Sequence, residues 1–307
     1  MTIHTSRALG AAAVWALASH TVVPAQQAVF RNGVELVPLT VTVTEASGKH
    51  VAGLAAGDFS VFEEGVQQPL TFFVAERVPV DVALVIDISG SMTKHLPLIK
   101  RAATGLVTSL HEGDRASLVA VARYAKIPQP LTAERASVAR AVNGLAAAGD
   151  TALYDGLYIA LRDLERARAG TIRKQAVVLL TDGFDTKSLI SFEEAKGLAL
   201  LLGVSIYVIA APTEEWDVPT DTNMHRTQYQ LRTLAVETGA RLFSPRAMAE
   251  LPDVSIAIVA ELAHQYELGY LPATKSAARG FRRVSVRVAN AIARTRAGYF
   301  ASGSNQP

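Results

Sequence analysis

The chain has 307 residues, half of them hydrophobic, with 30 basic side chains against 28 acidic ones. That length suits one large or two modest domains with a substantial core, and the near-balanced charge leaves no broad field to favour nucleic acid or an anionic membrane. There is no cysteine, which excludes disulfides, zinc–thiolate sites, thiol nucleophiles and an acylated-cysteine anchor, though not export.

Residues 1–27 read as a secretory signal. Arg7 gives a positive start, Leu9 to Ala18 form a short apolar stretch, and Val23-Pro24-Ala25 offers small residues before a cut. The stretch is short for a membrane span, so an uncleaved anchor is the lesser reading. No later segment has a charge-free apolar run long enough to cross a membrane. An exported chain is expected, in the periplasm, on the cell surface or outside the cell.

Residues 28–79 form a separate β region. Leu39 to Thr44 alternate as a half-buried strand does, and Pro38 is tolerable at a strand's first residue. Ser47-Gly48-Lys49 reads as a tight turn. Val51 to Leu54, Asp58 to Glu63 and Leu70 to Val74 read as further strands, with a turn at Glu64-Gly65.

Residues 80–264 alternate strand and helix, which implies a mainly parallel sheet with helices on both faces. The apolar run Val82 to Ile86 reads as a strand buried on both faces. Helices are expected over Thr93 to Leu110, Leu131 to Leu145 with Thr132 as cap, Leu153 to Ala167, Ser191 to Leu202, Gln228 to Thr238 and Ile256 to His264. Ser191 and Glu194 have the spacing of a capping box, and Gly203 stands where that helix would stop. Strands are expected over Arg115 to Ala122, Gln175 to Thr181, Val204 to Ala210 and Arg241 to Phe243.

Residues 265–302 return to β patterning, at Gln265 to Tyr270, Arg283 to Val288 and near Arg294 to Phe300. This tail is too short to stand alone. It is expected to complete a small β-sandwich with residues 28–79, the parallel-sheet domain being inserted between the two ends.

The most informative stretch is Ile86-Asp87-Ile88-Ser89-Gly90-Ser91. One carboxylate and two hydroxyls at alternate positions follow a buried strand, at the end where open α/β sheets place their ligands. Oxygens of this kind suit a hard divalent cation, Mg²⁺ first, with Mn²⁺ or Ca²⁺ as other candidates.

This D-x-S-x-S pattern resembles the metal-ion-dependent adhesion site of von Willebrand factor type A domains. Gly149-Asp150-Thr151-Ala152-Leu153-Tyr154-Asp155-Gly156 is similar to the family's threonine loop, and Val177-Val178-Leu179-Leu180-Thr181-Asp182-Gly183 to its aspartate loop. The amino-terminal run Gly48-Lys49-His50-Val51 through Glu63-Glu64-Gly65 resembles bacterial proteins of the VWFA-related group. Asp150 departs from the pattern, since bacterial members usually carry glycine there.

The resemblance implies metal ligands at Asp87, Ser89, Ser91, Thr151 and Asp182. It implies direct ligation by Ser89 and Ser91, and by Thr151 in the ligand-bound state, with Asp87 and Asp182 orienting waters and supplying charge. The open metal position would take an Asp or Glu carboxylate of a partner protein. Each residue also has a plainer reading. Asp87 could cap the next helix, Thr151 could cap its own, and Asp182 could be a turn acid. Asp155 and Asp185 are expected to be structural. Glu214, Glu215, Asp217 and Asp221 read as a solvated acidic loop.

Enzyme classes find little support. The position two residues after Asp87 is Ser89, so the acid that aspartyl phosphotransferases need is missing. There is no phosphate loop with Lys-Ser/Thr, no H-E-x-x-H and no G-x-S-x-G. The function expected is an exported, non-enzymatic, metal-dependent protein-binding module. The alternative is a structural or assembly component of a cell-envelope complex in which the metal is dispensable.

Overall fold

The computed structural model describes residues 36–168, 173–212, 222–272 and 280–301. The segment read as an export signal and the acidic loop at 214–221 lie outside these residues. The elements run β1 (Val37–Thr44), β2 (Phe59–Glu63), β3 (Val66–Gln68), β4 (Leu70–Val74), β5 (Val80–Asp87), α1 (Leu96–Ser109), β6 (Arg115–Val121), β7 (Ala125–Thr132), α2 (Arg135–Asn143) and α3 (Leu153–Ala167). Then follow β8 (Lys174–Thr181), α4 (Phe192–Leu202), β9 (Ser205–Ala210), α5 (Thr222–Glu237), β10 (Leu242–Phe243), α6 (Leu251–Ala263), β11 (Tyr266–Tyr270), β12 (Phe281–Val288), β13 (Ile292–Arg294) and β14 (Gly298–Phe300).

Six strands form the main sheet in the order β10-β9-β8-β5-β6-β7. All pairs are parallel except β6 with β7. β5 lies at the centre, and all eight of its residues are buried. Its alternate side chains serve two cores. Val82, Leu84 and Ile86 pack with α1, α2 and α6 on one face. Ala83 and Val85 pack with α3, α4 and α5 on the other. A buried Val, Leu or Ile contributes about 1.5–3 kcal/mol relative to exposure, so this strand anchors both layers.

The expected capping box is present: Ser191 Oγ accepts from the Glu194 N–H at 3.2 Å, and Glu194 Oε2 accepts from the Ser191 N–H at 2.8 Å. Gly203 closes α4 with φ +65°, a left-handed angle that costs glycine nothing.

Three local expectations are corrected. Leu131 to Thr132 belong to strand β7 and the helix begins only at Arg135, with Thr132 Oγ1 accepting from the Glu134 N–H at 3.1 Å. Pro128 and Pro130 mask this strand in the sequence, yet an edge strand tolerates residues without an N–H. Val51 to Leu54 is not a strand. α5 and α6 start earlier than expected, at Thr222 and Leu251.

The two chain ends make one sandwich of two four-stranded sheets, β13-β1-β11-β4 and β14-β12-β2-β3. Each sheet mixes strands from both ends. β1 lies between β11 and β13, and β12 lies between β2 and β14. Leu39, Val41, Val61, Leu268 and Tyr270 fill the space between them. Tyr270 and Tyr299 both donate to Glu63 Oε2, at 2.6 and 2.8 Å, and Arg282 Nη1 donates to Glu63 Oε1 at 2.7 Å, so the buried carboxylate is satisfied.

Sandwich and α/β domain meet through polar ties. Glu261 on α6 is 1 % exposed; it accepts from Tyr207 Oη at 2.8 Å and is paired with Arg294. A buried charge of this kind is tolerable only when paired. Arg296, also buried, donates to Leu200 O at 3.1 Å and to Pro38 O at 3.0 Å. Gly239 lies beneath this strap with φ +85°, and a Cβ there would stand 2.6 Å from the Arg296 backbone nitrogen.

Gly239→Ala combines a left-handed angle with a backbone clash, whereas Gly53, at φ +79°, has open space around it. Gly239→Ala is expected to lower stability by about 2 kcal/mol or more, and Gly53→Ala by about 1 kcal/mol. Paired denaturant titrations measure both; equal losses would show that the clash is relieved without cost.

Candidate metal centre

β5 and β8 run side by side in parallel, with Ile86 opposite Leu180. Asp87 and Thr181 therefore end neighbouring strands at the same level, and Asp182 follows one residue on. Asp87 is fully buried, Asp182 is 3 % exposed, and burial of each leaves its charge dependent on nearby donors. Asp87 Oδ1 accepts from the Ser89 N–H and Oδ2 from Thr181 Oγ1, both at 2.9 Å. Burial pushes the Asp87 carboxyl up to about 6, repulsion from Asp182 adds to this, and the bonds from Ser89 and Thr181 oppose it. Among the described residues neither acid has a cationic side chain within ion-pair distance.

The loop after Asp87 curls tightly. Ser89 is buried and Ser91 exposed, and their hydroxyl oxygens are 3.0 Å apart. Its backbone is tied to the loop that carries Thr151. The Gly90 N–H donates to Gly149 O at 2.9 Å, and the Ala148 N–H to Ile88 O at 2.7 Å. On its far side the Ala152 N–H donates to Ala122 O at 2.8 Å, which fixes this loop to the end of β6.

Thr151 is 4 % exposed. Its backbone joins the second loop to the third: Thr151 O accepts from the Thr186 N–H at 2.9 Å and the Lys187 N–H at 3.0 Å, and the Thr151 N–H donates to Thr186 Oγ1 at 3.1 Å. Asp182 Oδ1 accepts from the Phe184 N–H at 3.4 Å. The three loops thus form one bonded surface, with the Asp87, Ser89, Ser91, Thr151 and Asp182 side chains distributed over it.

Several residues brace this surface. Thr181, the last residue of β8 and no part of the expected ligand set, donates its hydroxyl to Asp87 and accepts from the Gly183 N–H, both at 2.9 Å. Asp185 Oδ1 accepts from the Leu153 N–H at 2.7 Å, capping α3. Asp155 Oδ1 accepts from the Leu189 and Ile190 N–H groups, each at 2.9 Å. Both acids thus tie the start of α3 to the loop after β8. Asp150 lies 4.0 Å from Lys187, and both are about half exposed.

The donor chemistry fits a hard cation. Two buried carboxylates that have no cationic side chain in ion-pair distance among the described residues, with Ser89 and Ser91 on the loop that follows Asp87, offer oxygen ligands only. Among the described residues no group of three or more His, Cys, Asp and Glu side chains converges as a metal cage, so the hydroxyls would have to supply much of the coordination.

The model of the von Willebrand factor type A domain family matches residues 81–255. An uncharacterized protein of Synechocystis sp. is 38 % identical over 110 residues, 35 % of this chain and 26 % of that protein. The E3 ubiquitin-protein ligase WAV3 of Arabidopsis thaliana is 32 % identical over 115 residues, 36 % of this chain and 15 % of that protein. The chain thus spans about a quarter or less of the length of these two relatives. The solved structure of a von Willebrand factor type A protein from Catenulispora acidiphila superposes with a TM-score of 0.50 at 15 % identity, covering 87 % of this chain and 72 % of that one, which speaks for the fold alone. With the strand order, the three rim loops and a family match over more than half of its length, the chain belongs to the von Willebrand factor type A domain family.

Proposed function

We propose that this protein is a metal-dependent protein-binding module, in which Asp87, Ser89, Ser91, Thr151 and Asp182 hold Mg²⁺ on the carboxyl rim of the sheet. The observation that carries the reading is a pair of buried acids with no cationic side chain in ion-pair distance among the described residues, carried on loops that are bonded to one another. Mn²⁺ and Ca²⁺ are the other hard cations that such oxygens take. When bound, the cation would supply an open coordination position for an Asp or Glu carboxylate of the partner. The chain's own residues do the rest. Thr181 and the Ser89 N–H hold the Asp87 carboxylate in place. The Gly90–Gly149 and Thr151–Thr186 backbone bonds keep the loops in register.

The same proposal divides the chain into an export signal (1–27), the sandwich (28–79 with 265–302) and the inserted domain (80–264). It places the mature protein outside the cytoplasm, in the periplasm, on the cell surface or beyond. No described helix is long and apolar enough to cross a membrane. No catalytic step is assigned to the site, and nucleic acid is not among the proposed partners.

Calorimetric titration with Mg²⁺ is expected to show one site. Ser91→Ala removes an exposed hydroxyl with little effect on the fold, and is expected to abolish or strongly reduce the heat. Wild type is expected to lose thermal stability in EDTA, as any ligand-stabilised fold does. Heat equal in wild type and Ser91→Ala would refute the ligand set, and stability unchanged by EDTA with no heat at all would favour an assembly role with a dispensable metal.

Thr181→Val keeps the shape of the side chain and removes both of its hydrogen bonds. Bracing groups of this kind typically change metal affinity by about 10–100-fold, and a loss near the lower end is expected. Unchanged Mg²⁺ affinity in this variant would mean that Asp87 needs no such support.

A further inference from the structure

The rim carries two cations that the metal reading leaves without a task. Lys94 ends the single turn Gly90–Lys94 that follows Ser89. Arg123 stands in the turn between β6 and β7, next to Ala122, whose carbonyl holds the threonine loop. Both are exposed, and among the described residues neither has an acid within ion-pair distance. Asp150, the acid nearest in sequence to Thr151, faces Lys187 instead.

Arg123 is close to the loops that would hold the cation. Its Cβ lies 3.9 Å from the place a Cβ on Gly149 would occupy, and Gly149 O accepts from the Gly90 N–H between the two serines. Its neighbour Tyr124 is 69 % exposed, and the Arg123 guanidinium carbon sits 5.9 Å from the Tyr124 ring centroid. A guanidinium over an aromatic face is partly pre-ordered, and its fork of donors remains free for a carboxylate.

Charge bookkeeping on the rim points the same way. Among the described residues, a divalent cation would offset Asp87 and Asp182, and Arg123 and Lys94 are exposed cations with no acid in ion-pair distance to occupy them. A partner offering a single carboxylate would satisfy the cation and leave both side chains unmatched. Complementary charge steers and selects partners.

We propose, resting on the metal reading above, that Arg123 and Tyr124 form a specificity-determining shelf beside the cation. The segment it takes is a doubly acidic peptide with an apolar residue between its acids. One carboxylate goes to the cation, the second to the Arg123 guanidinium as a charge-assisted pair, and the apolar side chain lies on the Tyr124 ring.

The test uses the full chain and fluorescein-labelled peptide probes read by anisotropy in Mg²⁺. The probes are Gly-Asp-Phe-Asp-Gly, Gly-Asp-Phe-Asn-Gly and Gly-Asp-Gly-Asp-Gly, each also made with one added glycine between the acidic or amide positions. Wild type is expected to bind the doubly acidic Phe peptides about tenfold more tightly than their Asn counterparts, the scale of one hydrogen bond to a charged group. Arg123→Gln is expected to remove that preference, and Tyr124→Ala to remove the preference for Phe over Gly. Equal binding of the Asp and Asn peptides by wild type, or a preference that persists in Arg123→Gln, overturns the shelf. Failure of every peptide to bind while Mg²⁺ still gives a heat of binding also overturns the shelf and leaves the metal site standing. Absence of that heat overturns the metal reading instead.

Discussion

Asp87 and Asp182 stand at the ends of two strands that lie side by side and run the same way, and burial denies both of them the water that normally stabilises a carboxylate. A parallel sheet imposes this closeness, because equal registers bring equal strand ends to one edge. The surrounding chain answers with donors. Thr181 Oγ1 and the Ser89 N–H hold Asp87, the Phe184 N–H reaches Asp182, and backbone bonds lock the loops around them. Yet the Asp87 carboxyl is still pushed up to about 6, so hydrogen bonding alone does not offset the repulsion and the burial. The cation site proposed above answers that residual imbalance.

The brace is local, but its rigidity is not. β5 is buried along its whole length between two helical layers, so its last residue has little freedom to withdraw. α3 begins directly after the threonine loop, and Gly156 in its first turn packs against Val121, where a Cβ would stand 2.3 Å from Val121 Cγ2. The helix can lie this close to β6 only because glycine is there.

Much of this was legible in the sequence. The fully apolar run ending at Asp87 announces a central parallel strand, since such strands face helices on both sides. The Ser191–Glu194 box and Gly203 bracket α4 because capping is decided within a few residues. What escaped depends on distant partners. Thr181 looks like one more β-branched strand residue until β5 is laid beside β8. β7 hides behind Pro128 and Pro130, which count against a strand except at an edge, and edge position is a property of the assembled sheet. The pairing of the two chain ends follows from the tail's need for partners, but its interleaving, with β1 between two tail strands, does not follow from pattern alone.

The insertion has its two joints at the end of the sheet away from the rim. Pro79 O, just before β5, accepts from the Lys174 N–H at the start of β8, and the Lys174 ammonium reaches Leu262 O near the end of α6. A pull between a partner seated at the loops and an anchor on the sandwich would therefore run along the strand axes. Ladder bonds lie across that direction, so neighbouring strands would resist in shear, many bonds at once, rather than peeling one by one. The rim loops and the joints to the sandwich thus stand at opposite ends of one sheet.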